Sequence, residues 1–239
     1  MVVVMLTLAA AAFPLDGNAQ VQLHRCRTID QPGSYRLAAN LTAEGTCLAV
    51  SADGVTIDLN GFAIVGNGSG TGILGVQRGA GIPPARTAVS NGDISNFAQA
   101  INLSGTVERL RVTSNASGIL VGVGIVQDNI VQFNGSMGIQ IASGIVSGNL
   151  LIRNGTAILV QEAGVIRNNQ AVGNKIGIDV AGRGSTLIGN IADGNDQIGF
   201  RVTCPSNLNN NAATGNASNL VLRGAGCRDE GNLFSQPEP

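Results

Sequence analysis

The chain has 239 residues, with 14 Lys and Arg against 15 Asp and Glu, a net charge of −1 and only 12% charged residues. A chain this short of positive charge is not built for a nucleic-acid backbone. Glycine is abundant at 34 residues but dispersed among apolar runs, which argues against disorder, and aromatics are only 3%.

In chain order, the first element is apolar. Met1 to Phe13 is rich in Val, Leu and Ala, and Gly17-Asn18-Ala19 then offers small residues. This pattern predicts a secretory signal peptide over residues 1–19 with cleavage after Ala19, although a positive n-region is missing. The mature chain, 20–239, then reads as a single domain that is secreted or periplasmic. No later stretch is long and apolar enough to span a bilayer.

The body is periodic. Asn96, Asn115, Asn134, Asn154, Asn174, Asn195 and Asn216 are separated by 19, 19, 20, 20, 21 and 21 residues. A second series, Asn91, Asn129, Asn149, Asn169, Asn190 and Asn211, runs five residues ahead of most of them, and Leu110 fills its missing place. Such self-similarity marks a repeat architecture. Within each repeat lie three short apolar runs separated by Asn or Gly, the last reading Gly-Ile-x-Ile or a variant. Short runs bounded by turn residues suit strands.

Three short strands in about 20 residues form one coil of a parallel β-helix, each strand pairing with its equivalent one coil away. The expected fold is all-β: a single right-handed parallel β-helix of about nine coils, its repeats covering about residues 48–222. Ile139 and Ile141, Ile158 and Val160, and Ile178 and Val180 should stack inward. Asn129, Asn149, Asn169, Asn190 and Asn211 should form a side-chain ladder at one corner, because stacked amides donate and accept along the axis.

The four cysteines fall on the same period. Cys26 and Cys47 are 21 residues apart, Cys204 and Cys227 are 23 apart, and each interval is close to one coil. Of three pairings, the period selects Cys26–Cys47 and Cys204–Cys227, one staple at each end. There is no CxxC, and His24 is the only histidine, so neither a metal site nor a cofactor is expected.

Gln31-Pro32-Gly33-Ser34-Tyr35-Arg36-Leu37, followed by Val55-Thr56-Ile57-Asp58-Leu59-Asn60-Gly61-Phe62, resembles the opening of secreted bacterial β-helix proteins of the pectin-lyase-like superfamily. The resemblance covers about Cys26 to Leu222. It implies the β-helix and a polysaccharide-related role, with the ligand along the face of the Gly-Ile-x-Ile strand. Fold alone does not license a reaction.

The outward residues of that strand are Ala49, Leu74, Asn102, Leu120, Gln140, Leu159, Asp179, Arg201 and Val221. A glycoside hydrolase needs two facing carboxylates, and this column supplies only Asp179. The weak catalytic candidates are Asp179, Arg201 and Lys175. Asp179 and Arg201, one coil apart, read first as an exposed ion pair. The longest interruption, Gly75 to Arg86, carries Arg78 and Arg86. With Asn102 and Gln140 these are the weak binding candidates.

The expectation is therefore a secreted scaffold that binds through its surface, with a polysaccharide or cell-envelope component as partner. The alternative is a lyase-type enzyme acting on acidic polysaccharide.

Overall fold

A computed structural model describes residues 20–77 and 83–234. The expected signal peptide and Arg78 lie outside the described residues. Among the described residues every regular element is a β-strand, and every strand pairing is parallel.

The strands stack on three faces. Face A starts with Arg27–Ile29, Leu48–Val50 and Thr71–Gly75 and ends with Ile198–Thr203 and Ser218–Arg223. The successive pairings make ten rungs, about ten turns of a solenoid. The sequence reading of about nine coils missed the rung at Arg27–Ile29. Its Arg-Thr-Ile lacks the glycine and paired aliphatics of the other copies. Face B runs from Val21–Leu23 to Arg228–Glu230, and face C from Leu41–Thr42 to Leu233–Phe234. In mid-rod the corners are so tight that Gln99–Thr113 is one continuous strand along all three faces.

The inward columns are aliphatic, as the period predicts. Leu48, Ile73, Ile101, Ile119, Ile139, Ile158, Ile178 and Phe200 stack on face A, each at most 1% exposed. Burying each contributes about 1.5–3 kcal/mol. With the inward residues of faces B and C this column forms one core running along the rod, so stability is a sum over neighbouring rungs.

Two asparagine ladders line two corners. At the B–C corner Asn129, Asn149, Asn169, Asn190 and Asn211 each donate Nδ2–H to the Oδ1 of the next, and Asn232 extends the series. At the C–A corner Asn115, Asn134, Asn154, Asn174, Asn195 and Asn216 do the same, and Asn216 ends on Asn219.

Asn91 and Asn96 are not members, which corrects the sequence reading. The coil they belong to is 18 residues long, so counting back 19 from Asn115 lands one residue short. Gly92 pairs with Leu110, and Phe97 sits where the ladder would continue, its N–H donating to Asn115 Oδ1 at 3.0 Å. Asn91 and Asn96 instead take left-handed corner conformations, φ 63° and 60°, which Asn tolerates. Leu110 does end the second ladder, its N–H donating to Asn129 Oδ1 at 3.0 Å.

Both disulfides form as the spacing predicts, Cys26–Cys47 and Cys204–Cys227, with Cα separations of 4.5 and 4.9 Å. Each closes a loop of about one coil, a constraint contributing roughly 3 kcal/mol. They tie down the end rungs, which have a neighbour on one side only.

Candidate functional site

Face A carries the site because its outward column is regular and its corner with face B is interrupted. The register is continuous: Ala49, Leu74, Asn102, Leu120, Gln140, Leu159, Asp179, Arg201 and Val221 are successive partners. All are half-buried except Asp179, which is buried. After Gly75 the chain leaves the coil and re-enters at Thr87–Ser95 on face B.

The ends of this excursion are pinned. Val76 N–H donates to Val50 O at 2.7 Å, Ala85 N–H to Asp53 Oδ1 at 2.7 Å, and Gly54 N–H to Ala85 O at 2.9 Å. The described ends of the excursion therefore stand against face A as a wall. Between the wall and the face lies a groove of about 440 Å³. Leu74, Val76, Pro83 and Leu120 supply its apolar surface, and Gln77, Asn102 and Ser104 its polar groups.

Of the binding candidates, Asn102 lies in this groove. Gln140 lies on the rung beyond Leu120 and does not line it. Arg86 is exposed at the corner with φ 56° and does not line it either. Sequence reasoning missed Val76, Gln77, Pro83 and Ser104, because the wall depends on where an irregular segment folds back. The break in the repeat at Gly75 was the available signal.

The Asp179–Arg201 pair stands four rungs from Asn102, about 19 Å along the axis at 4.8 Å per rung. It differs from the exposed ion pair the sequence suggested. Arg201 Nε–H donates to Asp179 Oδ1 at 3.0 Å, and its Nη2–H donates to Oδ2, so the contact is bidentate. The Asp179 side chain is only 9% exposed and that of Arg201 23%. Arg223, from the next rung, adds Nη1 at 3.8 Å from Asp179 Oδ1. The hydrogen bond it donates to Asp179 raises the pKa of Arg201 above its ordinary value, so it stays a cation at any physiological pH.

Lys175 is exposed at the corner, in the bend just before the strand Ile176–Val180 and four residues before Asp179. It does not converge with the pair. Arg201→Ala would leave a nearly buried carboxylate facing only the long contact to Arg223. It is expected to destabilise the protein by about 2–3 kcal/mol, more than an exposed pair would. Replacing both Asp179 and Arg201 by Leu should restore most of that, as chemical denaturation of the three proteins would show.

A second polar array lies on face B, and the sequence reading did not single it out. Arg36 pairs with Asp58 (3.5 Å) and donates to Asn60; Asn91 Nδ2–H donates to Asp58 Oδ1 at 3.1 Å. Arg109 donates to Asn91 Oδ1 at 2.8 Å and pairs with Glu108, to which Gln127 also donates at 2.7 Å. Asp58 is held by Arg36 on the neighbouring rung, and Glu108 by Arg109, the next residue of its own strand. Among the described residues no group of three or more His, Cys, Asp or Glu is placed to hold a metal.

The fold and the groove define the class: a parallel β-solenoid with a walled groove on one face. No family model matches the chain, and no curated protein matches it. Solved structures similar to it include a mutant DFA-IIIase from Arthrobacter chlorophenolicus A6 in complex with DFA-III. Identity there is 13% and the TM-score 0.36, over 84% of this chain and 64% of that one. A second structure of the mutant DFA-IIIase gives 12%, 0.34, 84% and 65%. The chain thus spans less than two thirds of the length of these proteins.

Proposed function

We propose that the protein is an exported binding scaffold that holds a neutral saccharide of a polysaccharide or cell-envelope component in the face A groove. The observation that carries this reading is the lining of the groove. Leu74, Val76, Pro83 and Leu120 offer apolar contact, while Asn102, Gln77 and Ser104 offer amide and hydroxyl groups. A few oriented polar groups on an apolar floor give specificity for an uncharged ligand. An N-acetylated sugar suits it best, since its methyl can lie on leucine while its amide pairs with Asn102. Export is supported by the two disulfides, which persist in oxidising compartments. Among the described residues no helix is long and apolar enough to cross a membrane.

The test is a panel of neutral, N-acetylated and acidic glycans, read by calorimetry. Wild type should bind an N-acetylated member, and Leu120→Asp should reduce that affinity at least tenfold by placing a charge on the apolar floor. Equal binding by Leu120→Asp would overturn the assignment to this groove.

A second reading, a lyase acting on acidic polysaccharide, draws on Asp179, Arg201 and Arg223. Two guanidinium groups share one carboxylate there, and the Arg223 side chain, 44% exposed, keeps donors free for an acidic sugar. Polyuronates that gain unsaturated ends on incubation, with loss of that product in Arg223→Ala, would establish it.

A further inference from the structure

Face B carries two outward columns, and the charges of one are complementary about a level near the middle of the rod. One column passes through Ile125, Ile145 and Val165 on adjacent rungs. The other reads, rung by rung, Gln22, Arg36, Asp58, Ser90, Glu108, Gln127, Ser147, Arg167, Ile188, Asn209 and Glu230. A mirror level placed between Gln127 and Ser147 pairs the ten positions from Arg36 to Glu230 and leaves Gln22, at the end, unmatched. Counted outward from there, Glu108 and Arg167 are equidistant, and so are Arg36 and Glu230. Each of these two positions carries opposite charges on the two halves. Ile125 and Ile145 lie nearest that level, and Ile188 lies three places from it, opposite Ser90.

We infer that face B is the contact surface for a second copy of this chain, packed face to face with the two rods antiparallel. The two-fold axis lies in the interface along the strand direction, level with the gap between Gln127 and Ser147. A two-fold axis so placed sets each rung against its mirror in the count. Glu108 of one copy then meets Arg167 of the other, Arg36 meets Glu230, and Ile125 meets Ile145. Both charge contacts occur twice, and no like charges oppose each other along either column.

Arg167 is a separate observation in favour. It is exposed, with Ser147 and Ile188 as its column neighbours, and among the described residues no carboxylate pairs with it. Glu108, by contrast, already has Arg109 and Gln127 and is held in place for an incoming guanidinium. Val165 and Ile188, 36% and 38% exposed, flank the arginine and would be covered in the dimer.

The ten rungs of face B that overlap about this axis, at about 4.8 Å each, and a face about 10 Å wide give a footprint of roughly 450 Å² per copy. That is below the roughly 800 Å² per partner of a standard interface, so the dimer should be weak and reversible.

Sedimentation velocity of the full chain from about 1 to 200 μM, a span wide enough to reveal weak association, should show a monomer–dimer equilibrium. Arg167→Glu, an exposed substitution that leaves the fold intact by circular dichroism, should weaken it at least tenfold. The register is tested by mixing two single variants, Glu108→Cys and Arg167→Cys, with a short bis-maleimide. The mixture should give a cross-linked dimer, and neither variant alone should, because like positions lie three rungs apart. A protein that stays monomeric throughout the range overturns the inference. So does a dimer indifferent to Arg167→Glu, or a mixture that does not cross-link. Glycan binding in the groove is measured separately and does not depend on the outcome.

Discussion

Asn169→Ala should destabilise the protein by about 4 kcal/mol, although it removes one small polar side chain. Asn169 is fully buried and sits at the centre of its ladder. Its Nδ2 donates to Val146 O (2.9 Å), Arg167 O (3.0 Å) and Asn190 Oδ1 (2.9 Å). Its Oδ1 accepts from Asn149 N–H (3.0 Å) and Asn149 Nδ2–H (2.9 Å). Alanine orphans groups on three rungs at once, each costing about 1–3 kcal/mol when buried without a partner. Not all can be rescued by a water in a space that small. Equilibrium unfolding in guanidinium chloride measures the loss. Asn232→Ala, at the half-buried end of the same ladder, should cost less than half as much. Equal losses at the two positions would mean that the ladder is not the cooperative element described here.

Gly144→Ala should be worse still, preventing native packing of its rung. Gly105, Gly124, Gly144 and Gly164 stack at the corner where face A turns into face B. Gly144 has φ 137°, where side chains are rarely accommodated, and a methyl there would lie 2.0 Å from Gly124 O. The obstacle is backbone, so no rotamer change relieves it. The coils must separate at that corner, breaking parallel hydrogen bonds above and below. The expected outcome is a loss of more than about 4 kcal/mol, the range of severe core lesions, or a protein that does not accumulate. Gly184→Ala is the control, because a methyl there meets nothing within 4 Å although φ is also positive at 79°. It should be far milder, as paired melting curves would show.

These two cases explain what was legible beforehand. Anything that repeats with the coil could be read, because each rung imposes the same steric and hydrogen-bonding demand. The ladder from Asn129 to Asn211, the inward isoleucines and the two disulfides are of that kind. Errors arose where the coil length changes. At the 18-residue coil the asparagines still look periodic, yet Phe97 and Gly92 hold the ladder positions and Asn91 and Asn96 turn the corner. The tenth rung, Arg27–Ile29, was hidden because its pairing is set by Cys47 and Leu48 and not by its own pattern.

The site was less legible for a related reason. The outward column from Ala49 to Val221 followed from the period, and Asn102 was placed correctly within it. The groove, however, is made by that column and by the aperiodic excursion together, and nothing local says where Pro83 comes to rest. Asp179 and Arg201 were recognised as a pair, but their burial depends on what packs around them, including Arg223 from a further rung. Side-chain depth on a flat sheet is a tertiary property and leaves no trace in spacing.

The central claim is that the walled groove on face A holds a saccharide without cleaving it. It is tested most directly by incubating the protein with an N-acetylated polymer selected by the glycan panel, then measuring retention and chain length on the same sample. The account predicts that wild type retains the polymer, that Leu120→Asp does not, and that chain length is unchanged in both. Shortened chains that disappear with Asp179→Asn, or retention that survives Leu120→Asp, would contradict it.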